Sequence, residues 1–174
     1  VVDFSQNHFE VFNLAVSYDL DMEDLSRRYR KAQASVHPDK FVNATDYERR
    51  LSLQWASQVN AAYQTLSSDL SRAIYILEIR GVVIQENPRL PRDFLIEQIE
   101  RREALDEIPQ NSRSLGALAA FREEINTCIE DYFKEFSESY LTKLGLAEML
   151  IYKLQFFTRL RRQVNEIEER ILGY

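Results

Sequence analysis

The chain has 174 residues, of which 45% are hydrophobic and 29% are charged, with only four glycines and four prolines. This composition is typical of one or two globular domains and excludes disordered, collagen-like and low-complexity chains. The formal net charge of −6 argues against broad nucleic-acid binding, which depends on a strongly positive surface.

The single cysteine, Cys128, allows no internal disulfide and cannot supply the clustered thiolates of a structural zinc or iron–sulfur site. We therefore expect no metal and no cofactor. No apolar run approaches the roughly 20 residues that cross a bilayer, and the first residues lack a basic region followed by an apolar one. These features predict a soluble, cytoplasmic protein that binds neither membranes nor nucleic acid.

Apolar residues recur at three- and four-residue spacing along almost the whole chain, which predicts an all-α fold. A short first helix carries Phe9 and Phe12, and a second helix ends just before Pro38, because a residue that precedes proline avoids helical geometry. The apolar stripe of the second helix is Leu25, Tyr29, Ala32 and Val36. A third helix, antiparallel to the second, has the stripe Leu51, Trp55, Val59, Ala62 or Tyr63, and Leu66. A short fourth helix from Asp69 ends at Gly81, a suitable C-terminal cap.

The second half of the chain predicts a bundle of three helices. Residues 82–92 contain Pro88 and Pro91 and show no periodicity, so we expect a linker there. The three helices that follow are predicted at about 93–108, 112–140 and 144–172. The predicted organisation is therefore a first domain at residues 1–81, the linker at 82–92 and a second domain at 93–174.

The most distinctive short motif is His37-Pro38-Asp39-Lys40, in the loop that follows the second helix. A surface loop can contain these residue types simply because proline ends helices and Asp favours turns. The preceding helix is basic at its end, with Arg27, Arg28, Arg30 and Lys31. A solvated helix face, with cations placed favourably for the helix dipole, is the simpler interpretation of that charge.

The order of a short helix, a basic helix, a His-Pro-Asp loop and a longer helix resembles the J-domain of DnaJ-type co-chaperones. Residues 71–77 with Gly81, residues 94–103 and the chain end at residues 168–174 are similar to the HscB family, the J-domain co-chaperones of iron–sulfur cluster assembly. The resemblance implies an L-shaped, all-α molecule with an N-terminal J-domain, in which a helical hairpin carries the His-Pro-Asp loop, and a C-terminal three-helix bundle. The chain lacks the N-terminal zinc-binding cysteines common in mitochondrial members, so we expect the bacterial type.

The resemblance also implies two partners: a DnaK-type ATPase chaperone, HscA, and a cluster scaffold, IscU. The residues expected to contact the chaperone are His37, Pro38, Asp39, Lys40, Arg27, Arg28, Arg30 and Lys31. Asp39 offers a carboxylate for a charge-assisted hydrogen bond with an arginine of the chaperone, while Pro38 fixes the loop. Those expected to contact the scaffold are Leu95, Ile96, Ile99, Glu100, Arg102, Glu103 and Phe156.

Helical angles support the scaffold surface independently of the resemblance. At about 100° per residue, Phe94, Leu105 and Ile108 share one stripe, which we expect to be buried. A second apolar patch consists of Leu95, Ile96 and Ile99, rimmed by Glu100, Arg102 and Glu103. Such a patch suits partner binding, or it packs against the J-domain. If the bundle is antiparallel, Phe156 of the last helix extends the patch.

Two other functions are open to the same residues. A general J-protein for unfolded clients needs a broad, adaptable apolar surface, which two methionines and four glycines do not favour. A small hydrolase built on His37 and Asp39 lacks an adjacent Ser or Cys nucleophile, and His8 offers no metal-ligand spacing. We therefore expect a protein that binds partners and is not an enzyme.

Overall fold

A computed structural model describes residues 4–35 and 45–173, and within these ranges all regular secondary structure is helical. The elements in chain order are α1 (His8–Val11), α2 (Met22–Ser35), α3 (Asp46–Ser67), α4 (Asp69–Ile79), α5 (Arg92–Asp106), a 3-10 turn (Ser112–Ser114), α6 (Leu115–Ser139) and α7 (Leu144–Leu172). The all-α prediction is confirmed. The chain divides into two compact units, Val1–Ile79 and Arg80–Tyr174.

In the first unit α3 is the central helix and packs against α1, α2 and α4. Its start is fixed by a capping box, in which Thr45 Oγ1 accepts from the Glu48 amide and Glu48 Oε2 accepts from the Thr45 amide. The largest fully buried side chains of this unit are Phe9, Leu25, Leu66, Ile76 and Leu77. Leu25 and Leu66 lie on apolar stripes that the sequence predicts, and Phe9 lies in the predicted first helix. Ile76 is on no predicted stripe, so its burial is shown only by the structure.

A buried arginine joins three segments of the first unit. The Arg72 residue is only 4% exposed. Its Nε donates to the Tyr18 carbonyl at 2.8 Å, its Nη1 to the Leu66 carbonyl at 2.6 Å, and its Nη2 to Asp69 Oδ1 at 2.6 Å. The guanidinium also lies 4.9 Å from the centroid of the Tyr18 ring. Arg72 therefore holds the segment before α2 against the turn between α3 and α4.

We expect Arg72→Ala to lower the free energy of unfolding by about 3 kcal/mol, because two backbone carbonyls lose their hydrogen-bond donor inside the core. Chemical denaturation followed by circular dichroism measures this change. The matched control is Arg49→Ala, which removes an exposed pair with Asp46 and should change stability by less than about 1 kcal/mol. Equal effects of the two substitutions would show that Arg72 does not join these segments.

The second unit is an up-down-up bundle. Tyr132 of α6 lies 5.4 Å, ring to ring, from Phe157 of α7, and Arg122 pairs with Glu168 nearer the chain end. Partner numbers rise on one helix as they fall on the other, so α6 and α7 are antiparallel. Helix α5 packs on α7, and Arg101 of α5 pairs with Glu124 of α6 at 3.0 Å. The predicted three-helix bundle is therefore present.

The segment that precedes α5 is held on the second unit. Arg80 donates from Nη1 to the Tyr140 carbonyl at 3.0 Å and from Nη2 to the Leu141 carbonyl at 2.9 Å. Within the predicted linker at 82–92, the Gln85 amide donates to Tyr152 Oη at 3.0 Å. Gly81 has a φ of 81°, the left-handed conformation expected of a glycine that ends a helix. These contacts tie the chain on either side of Gly81 to helices of the bundle.

Candidate docking surfaces

Helices α2 and α3 form an antiparallel hairpin that leads into the motif His37-Pro38-Asp39-Lys40. The rings of Tyr29 and Tyr63 stack with centroids 4.0 Å apart, and Tyr29 Oη donates to Asn60 Oδ1 at 3.0 Å. Ser26 Oγ lies 3.3 Å from Tyr63 Oη. Ser26 thus pairs with Tyr63 and the later Tyr29 with the earlier Asn60, so the two helices are antiparallel. The motif itself lies outside the described residues, and its contact role stays a prediction. The sequence analysis named Tyr63 only as an alternative to Ala62 on the apolar stripe of the third helix, and no motif marks the hydrogen bonds of Asn60 or Tyr63.

The cations of α2 divide between those in solvent and one held by the fold. Arg27 is 74% exposed in its side chain, and Arg30 and Lys31 are exposed too. Arg27 and Arg28 both pair with Asp24, one turn earlier. The hydrogen bond from Arg28, with the positive charge of both arginines, holds the pKa of the Asp24 carboxyl below its usual value. Arg27, Arg30 and Lys31 therefore form an exposed basic face of α2.

Arg28 makes its contacts within the protein. Its Nη1 donates to the carbonyls of Phe12 at 2.9 Å and Asn13 at 3.1 Å, at the end of α1. Asn13 has a φ of 52°, and the Leu14 amide returns to the Phe9 carbonyl at 2.9 Å, as in a Schellman cap. The guanidinium thus binds the carbonyl end of α1, where positive charge is favourable.

The three apolar residues predicted as a patch on α5 lie in solvent. Leu95 is 44% exposed, Ile96 41% and Ile99 56%. The residues predicted to rim them, Glu100, Arg102 and Glu103, are exposed as well. On the opposite side of α5, Phe94 and Leu105 are buried in the bundle. Helix α5 therefore has one apolar face in the core and a second, exposed face, which we call the α5 patch (Leu95, Ile96, Ile99).

The expectation that Phe156 extends the α5 patch is wrong. Phe156 is only 5% exposed. Its ring meets Phe94 edge to face with centroids 6.0 Å apart, and Phe157 in the same way at 5.2 Å. Because α5 packs over this part of α7, the ring fills the space under the helix. Only the Arg102 guanidinium, 5.7 Å from the ring centroid, links Phe156 to the rim of the patch.

We expect Phe156→Ala to lower the free energy of unfolding by about 3 to 5 kcal/mol, the usual effect of deleting a buried phenylalanine ring. Ile99→Ala, at an exposed position of the α5 patch, should change it by less than about 1 kcal/mol. Thermal and urea unfolding of both variants measures the difference. A small change in the free energy of unfolding on Phe156→Ala would contradict the burial of this ring in the bundle core.

Residues 4–35 and 45–173 contain neither a metal-binding cluster nor a membrane-spanning helix. No group of His, Cys, Asp and Glu side chains is placed there to hold a metal ion. No helix in these ranges is long and apolar enough to cross a membrane. Cys128 is half-buried, and burial raises the pKa of its thiol, which disfavours the reactive thiolate.

Comparison with known proteins matches both units. Residues 7–75 match the family model of the DnaJ domain, and residues 90–165 match that of the HSCB C-terminal oligomerisation domain. The co-chaperone protein HscB homolog of Vibrio vulnificus (strain YJ016) is 35% identical over 170 residues, covering 96% of this chain and 99% of the relative. The homolog from Shewanella frigidimarina (strain NCIMB 400) is 36% identical over 180 residues, covering 95% and 99%.

Solved structures agree with the sequence relatives. Chaperone HscB from Vibrio cholerae superposes with a TM-score of 0.85 at 32% identity, covering 95% of this chain and 99% of that one. The crystal structure of human co-chaperone protein HscB gives a TM-score of 0.89 at 26% identity, covering 96% of this chain and 84% of the human one. The likeness therefore covers both units in sequence and in fold.

Proposed function

Because the chain belongs to the HscB family of J-domain co-chaperones, we propose that it serves iron–sulfur cluster assembly in the cytoplasm as an adaptor between two proteins. It binds a cluster scaffold of the IscU type and delivers it to a DnaK-type chaperone of the HscA type, whose ATPase it stimulates. The family is one of co-chaperones and not an enzyme class. The observation that carries the proposal is the α5 patch, an exposed apolar surface with a charged rim, on the same chain as a J-domain.

The first docking surface is the basic face of α2. Arg27, Arg30 and Lys31 point into solvent, where they attract an acidic surface of the chaperone and speed its association. Salt screens charges that lie in water, so the association rate should fall as ionic strength rises. Asp39, in the loop that the sequence predicts after α2, supplies the carboxylate for a hydrogen bond with an arginine of the chaperone.

The second docking surface is the α5 patch. Protein interfaces bury an apolar centre within a polar rim, and charged residues are depleted from that centre. The exposed fractions of Leu95, Ile96 and Ile99 leave apolar area that a scaffold removes from water, at roughly 25 cal/mol per Å². Glu100, Arg102 and Glu103 then fix the orientation of the scaffold through rim contacts.

An adaptor of this kind breaks no bond itself. The chaperone hydrolyses ATP faster because the J-domain binds one conformational state of the chaperone more tightly than another. The scaffold raises the effect when both surfaces are occupied, since one chain then holds it near the chaperone at a high effective concentration. Steady-state ATPase of the chaperone with scaffold, with this chain and with both tests the proposal. An ATPase rate that this chain leaves unchanged would contradict it.

We expect His37→Gln and Asp39→Asn each to abolish ATPase stimulation, because both change the loop that contacts the chaperone. Scaffold affinity, measured by isothermal titration, and helicity, measured by circular dichroism, should equal those of the wild type. A loss of helicity would assign the loop a structural role instead.

Leu95→Ala, Ile96→Ala and Ile99→Ala combined should weaken scaffold binding by at least tenfold, the equivalent of about 1.4 kcal/mol, and leave the melting temperature unchanged. The matched control is Leu141→Ala, which removes an apolar side chain of the same unit that is 60% exposed.

Titration with a folded scaffold and with a denatured polypeptide also separates the proposed adaptor from a general J-protein. Tighter binding of the denatured chain would favour the general J-protein.

A further inference from the structure

A groove of about 260 Å³ lies between the end of α1 and one face of α2. Its lining is Val11, Phe12, Asn13, Arg28, Lys31, Ala32 and Ser35. The four α2 residues follow the spacing i, i+3, i+4 and i+7, which places them on one side of a helix. The groove is therefore bounded by two different helices.

The groove has an apolar floor and a basic edge. Val11 is 7% exposed and Phe12 is 2% exposed, while Ala32 supplies a methyl group on the opposite wall. Lys31 and Arg28 stand along the α2 side, and the exposed Arg27 and Arg30 are their neighbours on the same helix. The groove thus opens directly beside the basic face that we assign to the chaperone.

The walls of the groove are fixed before any partner binds. The Arg28 guanidinium holds the Phe12 and Asn13 carbonyls, which are on the α1 wall. The Phe12 ring meets Tyr29 edge to face at 6.4 Å, and Tyr29 is in turn stacked on α3. A preformed groove spares the partner the entropy of ordering its binding site.

We infer that this groove receives one apolar side chain of an acidic segment of the DnaK-type chaperone, next to the carboxylates that bind the basic face. The inference rests on the proposed function and adds an apolar anchor to a docking surface otherwise based on charge. Its space exceeds the roughly 150 Å³ that holds a benzene molecule in an engineered cavity, so one branched or aromatic side chain fits. Arg28 is a positioning residue in this arrangement, because its hydrogen bonds to the Phe12 and Asn13 carbonyls hold the α1 wall of the groove, which it also lines.

The test fills the groove without changing its charge. Ala32→Trp in the full chain should raise the concentration that gives half-maximal ATPase stimulation by about tenfold, because the anchor loses the burial of one apolar side chain. Ala32→Leu introduces a smaller side chain that is favourable in a helix, and it should raise the half-maximal concentration severalfold. The matched control is Ala61→Trp, at an exposed position of α3 outside the groove, which should leave the concentration unchanged. Melting curves confirm that each variant is folded.

Salt dependence separates the anchor from the charges. Lys31→Ala should flatten the fall of affinity with ionic strength, whereas Ala32→Trp and Ala32→Leu should keep the wild-type slope at lower affinity. If the wild type stimulates the ATPase and both Ala32 variants match it within twofold, the groove is not an anchor site, and the proposed function stands. If the wild type gives no stimulation, both proposals fall.

Discussion

Helix α5 has more apolar surface than one core can bury, and this constraint leaves an apolar face of the second unit exposed to solvent. Phe94 and Leu105 face the bundle and are almost fully buried. A helix presents only one side to its neighbours, so Leu95, Ile96 and Ile99 stay in solvent once that side is fixed. The exposed face is thus a consequence of packing, and in the proposed function the scaffold covers it.

In the first unit the corresponding constraint is on charge. Two arginines donate hydrogen bonds within the protein. Arg72 donates to the buried carbonyls of Tyr18 and Leu66, and Arg28 donates to the Phe12 carbonyl at the end of α1. Arg28 uses its Nε and Nη1 donors within the protein, and Arg72 is only 4% exposed. Arg27, Arg30 and Lys31 remain outside. The exposed charge of the basic face therefore comes from these three residues, while Arg28 holds α2 against the end of α1.

In the proposed function, one docking surface on each compact unit lets the chain affect a reaction that the chaperone catalyses. Each surface relies on a different force: charge on α2, which acts at a distance and is screened by salt, and apolar burial on α5, which acts on contact. In the proposed function the first speeds the encounter with the chaperone and the second retains the scaffold. The inferred anchor in the groove beside α2 would add an apolar contact to this charged surface.

The amino-acid sequence by itself determined the helices, the three-helix bundle and the two faces of α5. All of these follow from the spacing of nearby residues, since about 3.6 residues per turn place them on a common face. Only the tertiary structure decided the roles of Arg28, Arg72 and Phe156. Arg72 meets a carbonyl 54 residues away and Arg28 one 16 residues away, while Phe156 lies beneath a helix from another part of the chain. Helical spacing carries no information about which distant segment will cover a side chain, because that depends on how the helices pack together.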